Sequence, residues 1–141
     1  KNSIITTTYK DLYEITRSGE SLLIDLKIIN KSGHKLPTGY PSRRVWVHLV
    51  VTDASGNTVF ESGRVNNNGQ ISGNEADEIP GRFEPHYDLI DSHDKVQIYE
   101  ALMEDPEGNL TYTLLRSKKY IKDNRLLPEG SNKTTAEENI E

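Results

Sequence analysis

The sequence contains no cysteine, and that absence excludes four kinds of chemistry. A chain without a thiol forms no disulfide and offers no thiolate nucleophile. It also supplies no cysteine ligand for zinc and no thioether attachment point for haem. Cysteine usage therefore says nothing about the redox state of the compartment, and we assign neither a covalent cofactor nor a catalytic thiol to this chain.

Long apolar runs and clusters of positive charge are also missing. No stretch approaches the ~20 apolar residues that cross a bilayer, and no leader of charged and then apolar residues opens the sequence. The 17 Lys and Arg against 22 Asp and Glu leave a net charge of −5, which disfavours a surface that follows nucleic-acid phosphates. We expect no transmembrane segment in this chain and no nucleic-acid partner.

The length of 141 residues suits one domain with its own core. We expect residues 1–130 to form a single domain, and residues 131–141 to be a polar tail. Because the sequence begins with Lys1 rather than methionine, we expect it to be a cut piece or a processed product of a longer protein.

Alternating apolar residues predict β-hairpins along most of the sequence. YEIT and SLLIDLKIIN flank the turn RSGE and predict the first hairpin. One face of its second strand is apolar and consists of Leu22, Ile24, Leu26 and Ile28. We expect that face to lie in a core. A second hairpin is predicted from Arg44 to Gly63 around the turn DASGN, and a third from Lys95 to Ile121 around DPEGN.

The remaining sequence completes an all-β prediction. From Gly63 to Asp94 the residues are rich in Asn, Gly, Asp and Pro, and a loop of this length usually carries function or disorder. No helical period is sustained anywhere. We therefore predict an antiparallel β-sandwich of immunoglobulin-like architecture, although the Cys and Trp spacing of antibody domains is absent.

One histidine occupies an unusual setting in the segment NKSGHKLPTGYPSRRVW, from Asn30 to Trp46. His34 lies between Gly33 and Pro37, and an imidazole in such a loop could ligate a metal or haem iron. The alternative is a loop histidine that bonds to its own domain, for example to the loop at residues 84–88. The sequence has four histidines, which are His34, His48, His86 and His93. None of them shows the His-x-x-x-His spacing of a zinc site. We expect His48 to be structural.

The segment EPHYDLIDSHD crowds carboxylates and two histidines into one loop. Ca²⁺ or a transition metal could use such a set. The alternative is a solvated acidic loop, and it is favoured because the Asp spacing lacks the glycine and distal glutamate of a Ca²⁺-binding loop. We assign no metal.

Two arginines and one tryptophan complete the candidate residues. Arg43 and Arg44 follow a Pro-Ser turn and could pair with a carboxylate of a partner; the alternative is one arginine in solvent and one salt-bridged within the domain. Trp46 could stack on a sugar or belong to a core. No Ser/His/Asp arrangement, glycine-rich phosphate loop or paired-carboxylate motif stands out, so we predict no enzymatic activity.

Several separated segments carry a resemblance to a known family. They are NKSGHKLPTGYPSRRVWVHLVVTDASGNTVFESG, RFEPHYDLI, DKVQIYEALMED and LLRSKKYIKDNRLLPEG. In this order they resemble the haem-free C-terminal β domain of bacterial multihaem c-type cytochrome family proteins. The resemblance covers residues 30–130, whereas the first thirty residues share only a strand pattern. The tail EGSNKTTAEENIE resembles the point at which such domains continue into further strands.

The resemblance implies a non-catalytic module that supports or orients the haem domain of the same parent polypeptide in electron transfer. Family members carry CxxCH haem sites upstream, so haem c is expected in the upstream part of the parent and no cofactor in this chain. Covalent haem attachment takes place outside the cytoplasm, which implies a periplasmic, cell-surface or secreted location. In that setting His34, and His86 second, are the expected haem contacts, and Arg43 and Arg44 are the expected partner-binding residues.

A second class of function stays open at this point. The chain could instead be a cell-surface binding module for a glycan, a partner protein or Ca²⁺, with Trp46 and Tyr87 on an exposed face. An exposed aromatic patch or a groove lined by Tyr and Trp would favour this alternative.

Overall fold

The structure, a computed structural model, describes residues 13–131. Within them nine strands follow in chain order: β1 (Tyr13–Ser18), β2 (Ser21–Leu26), β3 (Val45–Trp46), β4 (Leu49–Thr52), β5 (Thr58–Ser62), β6 (Ile98–Tyr99), β7 (Ala101–Glu104), β8 (Leu110–Thr111) and β9 (Lys119–Asp123). Single 3-10 turns cover Glu75–Asp77 and Leu114–Arg116. This content confirms the all-β prediction. Most of the predicted tail, residues 132–141, lies outside the described residues.

The strands pair in small antiparallel sheets. Among the described residues β1 pairs with β2, β3 with β6 and β4 with β5, and β7 lies between β8 and β9. The three predicted hairpin turns join the pairs β1–β2, β4–β5 and β7–β8. The second and third hairpins are shorter than predicted, because β3 pairs with β6 and because a 3-10 turn separates β8 from β9, which pairs with β7. The segment predicted to be a long irregular loop, residues 63–94, contains one 3-10 turn and one isolated bridge, between Val65 and Ile71.

The turn between β4 and β5 is built around one aspartate. Asp53 Oδ1 accepts the backbone N–H groups of Ser55 and Asn57, both at 2.8 Å. The backbone N–H of Asp53 donates to the carbonyl of Asn57 at 2.8 Å, which closes the loop. Gly56 has a φ of 86°, a left-handed conformation that glycine adopts without steric cost. These bonds hold the pKa of Asp53 below its usual value, mainly through Asn57.

The turn between β7 and β8 repeats the same design. Asp105 Oδ1 accepts the N–H groups of Glu107 at 3.1 Å and Asn109 at 2.8 Å, and Asp105 N–H donates to Asn109 O at 2.9 Å. Gly108 again has a φ of 86°. The shared pattern Asp-x-x-Gly-Asn therefore explains both turns through side-chain capture of backbone donors.

The core is small and centres on β6 and β7. Its buried apolar residues are Ile71, Val96, Ile98, Ala101, Leu102 and Met103. Trp46 is half-buried and packs against Ile71, Val96 and Ile98, and its indole N–H donates to the carbonyl of Gly63 at 3.1 Å. A Cβ at position 63 would lie 2.2 Å from Val47 O, so only glycine fits beside the tryptophan. Trp46 therefore lies at the edge of the core, in agreement with the alternative that it belongs to a core.

The apolar face of the first hairpin corrects one sequence expectation. The hairpin itself forms, with Ile15 opposite Ile24. Leu22, Leu26 and Ile28, however, are 54%, 46% and 38% exposed rather than buried in a core. Alternation predicted the two faces of the strand but carried no information about what covers either of them. Among the described elements, β1 and β2 pack mainly against each other.

Candidate functional site

The loop that holds His34 is fastened to the end of the described chain. Asn30 is buried, and its Nδ2 donates to the carbonyl of Leu126 at 2.9 Å and to that of His34 at 2.7 Å. Its Oδ1 accepts the N–H and the hydroxyl of Ser32 at 3.0 and 2.7 Å. A single buried amide therefore organises the loop and joins it to residues 96 positions away.

Backbone bonds and an ion pair reinforce this junction. Leu36 and Leu126 exchange two backbone hydrogen bonds of 2.9 Å each. Lys35 Nζ lies 3.2 Å from Asp123 Oδ2. Burial raises the pKa of Asp123, but the paired Arg125 and Lys35 outweigh it and leave the pKa below its usual value. The loop is thus rigidly held through its backbone and its lysine.

The imidazole of His34 is exposed. Its residue is fixed through the backbone, because the carbonyl accepts bonds from Asn30 Nδ2 and Ser32 Oγ. The ring itself makes no hydrogen bond to the described residues, so the predicted alternative of a bond to residues 84–88 is not observed. A metal-bound imidazole normally has its second nitrogen hydrogen-bonded, and the described residues provide no such partner for this ring.

His86 lies in a different environment, at the edge of a buried polar network. Its Nδ1 is 2.7 Å from Gln97 Nε2 and 3.2 Å from Asn124 Nδ2. Both amides are buried. On its other side, Nε2 is 4.0 Å from a carboxylate oxygen of the exposed Asp88. The ring also makes an edge contact with Tyr99, with centroids 6.3 Å apart.

The same network contains a buried ion pair. Lys122 Nζ lies 2.9 Å from Glu100 Oε1 and donates to the carbonyl of Ile98 at 3.2 Å. Asn124 joins the pair to His86, because its Oδ1 accepts the N–H of Glu100 at 3.0 Å. Burial lowers the pKa of Lys122, and the attraction of Glu100 opposes that shift. A buried charge needs such a partner, so these groups are committed to the fold.

Sequence reasoning missed this network. Its members are separated along the chain by up to 38 positions, so no local motif reports them. The available signal was Glu100 inside the predicted strand KVQIYEALM, since a carboxylate among apolar strand residues requires a partner. The identity of that partner, Lys122, was not readable from spacing.

The acidic loop EPHYDLIDSHD is partly structural. Glu84 is 3% exposed, accepts the Tyr87 hydroxyl at 2.6 Å and accepts the N–H of Glu75 at 2.9 Å. Burial and the neighbouring Glu84 raise the pKa of Tyr87. No group of three or more His, Asp or Glu side chains within residues 13–131 is arranged to hold a metal ion.

The two candidate arginines have different surroundings. Arg44 binds Asp77 through both Nη atoms, at 2.8 and 3.0 Å, and Asp77 also accepts the N–H of Ile71 at 2.9 Å. Burial raises the pKa of Asp77, but Arg44 and Ile71 together bring it below its usual value. Arg43 is exposed and donates from Nη1 to the carbonyl of Thr38 at 3.1 Å. Arg44 thus anchors the long loop, and partner binding by Arg43 and Arg44 stays a prediction.

The other histidines lie beside Glu61. His48 Nε2 is 2.9 Å from Glu61 Oε1. His93 Nδ1 is 2.9 Å from the carbonyl of Glu61, and its ring stacks on Phe60 with centroids 4.8 Å apart. A shallow polar depression of about 370 Å³ lies next to them and is lined by Glu61, Arg64, Asn66, Ser72, Gly73, Glu78, His93 and Asp94. Charges of both signs line it, and its described lining contains no Tyr or Trp.

Comparison of the chain with family models, with curated proteins and with solved structures gives no match. Within the described part of the chain, no helix has the length and apolar character needed to span a membrane.

Proposed function

We propose that this chain is a non-catalytic antiparallel β-sandwich module, of immunoglobulin-like architecture, from an exported multihaem c-type cytochrome. In this proposal the module lies outside the cytoplasm and supports or orients the haem domain of the same parent polypeptide in electron transfer. Haem c belongs to the upstream part of the parent, and this chain supplies no catalytic residue.

The observation that carries the proposal is that the segments bearing the family resemblance bond to one another. Asn30, in the first segment, binds the carbonyl of Leu126 in the last. His86, in RFEPHYDLI, meets Gln97 of DKVQIYEALMED and Asn124 of the last segment. The segments that carry the family resemblance are therefore hydrogen-bonded to one another. This supports the interpretation that they occur together in one order because they form one structural unit.

The arrangement of polar groups supports a scaffold rather than an enzyme. Lys122, Glu84 and Asp77 each bind a partner inside the domain. The loop with His34 is held by its backbone while its ring faces solvent. A rigid loop with an exposed imidazole suits contact with an adjoining domain, since little conformational entropy is lost when it docks.

The full-length parent tests this proposal. Replacement of His34 by alanine is expected to remove or perturb one low-spin haem signal while the melting temperature stays unchanged. Unchanged haem spectra together with a lower melting temperature would assign His34 a structural role instead. His48→Ala is a matched control, because that exposed histidine lies beside Glu61 and away from the fastened loop.

A binding module for a partner protein is the second candidate. Between β8 and β9 the chain exposes apolar side chains, with Leu115 98% and Leu114 54% exposed. Trp46 and Tyr87, the aromatic residues expected on a glycan-binding face, are instead engaged with Gly63 and Glu84. A parent polypeptide without any CxxCH motif would favour this second function over the first.

A further inference from the structure

We propose that His86 is held as the neutral tautomer with its proton on Nε2, and that it acts as a hydrogen-bond acceptor in the buried network rather than as a metal ligand. This assignment does not depend on the proposed function. Of the two predicted haem contacts, His34 and His86, it leaves only His34.

Backbone N–H groups fix the orientation of the side-chain amides of Gln97 and Asn124. A backbone N–H can only donate, so the atom that faces it must be an oxygen. The N–H of Tyr87 lies 2.7 Å from the Gln97 side chain, which places Oε1 there and Nε2 toward His86. In the same way, the N–H of Glu100 lies 3.0 Å from Asn124, which places Oδ1 there and Nδ2 toward His86.

The orientation of these two amides determines which nitrogen of the His86 imidazole carries the proton. The two described groups that face Nδ1, at 2.7 and 3.2 Å, are amide N–H donors. Nδ1 must therefore offer its lone pair, and a neutral imidazole with an unprotonated Nδ1 carries its proton on Nε2. The carboxylate of Asp88, 4.0 Å from Nε2, lies on the side where that proton points.

This protonation state disfavours the binding of a metal by His86. Ligation through Nε2 would displace its proton to Nδ1, where it would meet the N–H groups of Gln97 and Asn124 head-on. A metal-bound histidine normally donates its second N–H to an acceptor, whereas the described residues at Nδ1 are two donors. Ligation through Nδ1 would require both buried amides to move away. The donors around the ring thus oppose iron or zinc at either nitrogen.

The tautomer can be measured directly. Long-range ¹H–¹⁵N correlation spectra of the folded chain near neutral pH distinguish a bare ring nitrogen from a protonated one. We expect His86 to show an unprotonated Nδ1 and a protonated Nε2. A proton on Nδ1 in the wild-type chain would overturn the inference.

A variant tests whether Gln97 sets the tautomer. Gln97→Glu has nearly the same shape and retains an oxygen for the N–H of Tyr87, but it replaces the donor at Nδ1 by an acceptor. The Nδ1 resonance is expected to move toward the protonated range in this variant. An unchanged Nδ1 signal in a folded Gln97→Glu chain would contradict control of the tautomer by this amide.

A soluble ferric haem peptide with one open axial position provides an independent readout. Its affinity for the wild-type chain is expected to equal its affinity for His86→Ala. A loss of affinity or of a low-spin signal in His86→Ala, with the fold intact by circular dichroism, would show that the ring does ligate iron and would refute the inference.

Discussion

The first hairpin and the β7 sheet differ in which residue types they expose and which they bury. In β1 and β2 the apolar residues Leu22 and Leu26 face solvent. In the β7 sheet, Glu100, directly before β7, and Lys122, in β9, are buried together with Leu102. The difference shows that strand periodicity and burial are separate properties: alternation predicts a strand, while burial depends on what packs against it and on whether each buried polar group finds a partner.

The largest expected effect comes from breaking the buried ion pair. Lys122→Met leaves the Glu100 carboxylate buried without its ammonium partner, and loss of one member of such a pair costs about 3–5 kcal/mol. Urea unfolding followed by the fluorescence of Trp46 measures this change. The double variant Glu100→Gln/Lys122→Met is expected to recover part of the loss, and a single variant as stable as wild type would show that the pair is not desolvated.

The core around β7 gives the next largest effect. Leu102 is 1% exposed, so Leu102→Ala removes buried methyl groups and leaves a cavity that costs about 2–4 kcal/mol. The change is measured as a shift in the urea midpoint at constant slope. A shift too small to resolve would mean that β7 does not lie in the principal core.

A pH titration tests the half-buried carboxylate of Asp77. Its pKa in the folded chain lies below the usual 3.8, so its ionised form stabilises the fold fully above that pH. The contribution is lost as pH falls through the lower folded pKa. The stability difference between wild type and Asp77→Asn is therefore expected to shrink as the pH falls from neutral into the acid range.

A matched carboxylate controls that titration. Asp25 is exposed on β2, and Asp25→Asn is expected to leave the acid-induced loss of stability as in wild type. If Asp77→Asn and Asp25→Asn gave the same pH profile, the ion pair with Arg44 would not account for the acid sensitivity.

The smallest expected effect is on the first hairpin. Leu22→Ala truncates a side chain that is 54% exposed, and exposed substitutions usually change stability by less than about 0.5 kcal/mol. Urea unfolding under the conditions used for Leu102→Ala makes the two leucines directly comparable. A loss as large as that of Leu102→Ala would show that the hairpin face is covered in solution.

Much of the fold was predictable because its signals are local. The turns at Asp53 and Asp105 were recognisable from Asp, Gly and Asn within five residues, and the side chains cap the backbone donors there. The exposure of Leu22 was not predictable, because alternation describes a strand's two faces without identifying what covers either.

The candidate residues divide in the same way. The constrained loop around His34 was predicted from Gly33 and Pro37, yet its anchor is the buried amide of Asn30, which binds a carbonyl 96 residues away. The donors around His86, which are Gln97 and Asn124, lie 11 and 38 positions away in the sequence and were not anticipated. Local chemistry thus identified the histidines, and long-range hydrogen bonds distinguish their environments.

The proposed origin of this module in a multihaem c-type cytochrome is tested by the covalent haem content of the full-length parent polypeptide. A pyridine haemochrome assay on the purified parent, normalised to protein concentration, is predicted to give more than one haem c per polypeptide. The cysteine-free chain alone is predicted to give none, as the matched control. A parent polypeptide with no covalently bound haem would contradict the claim.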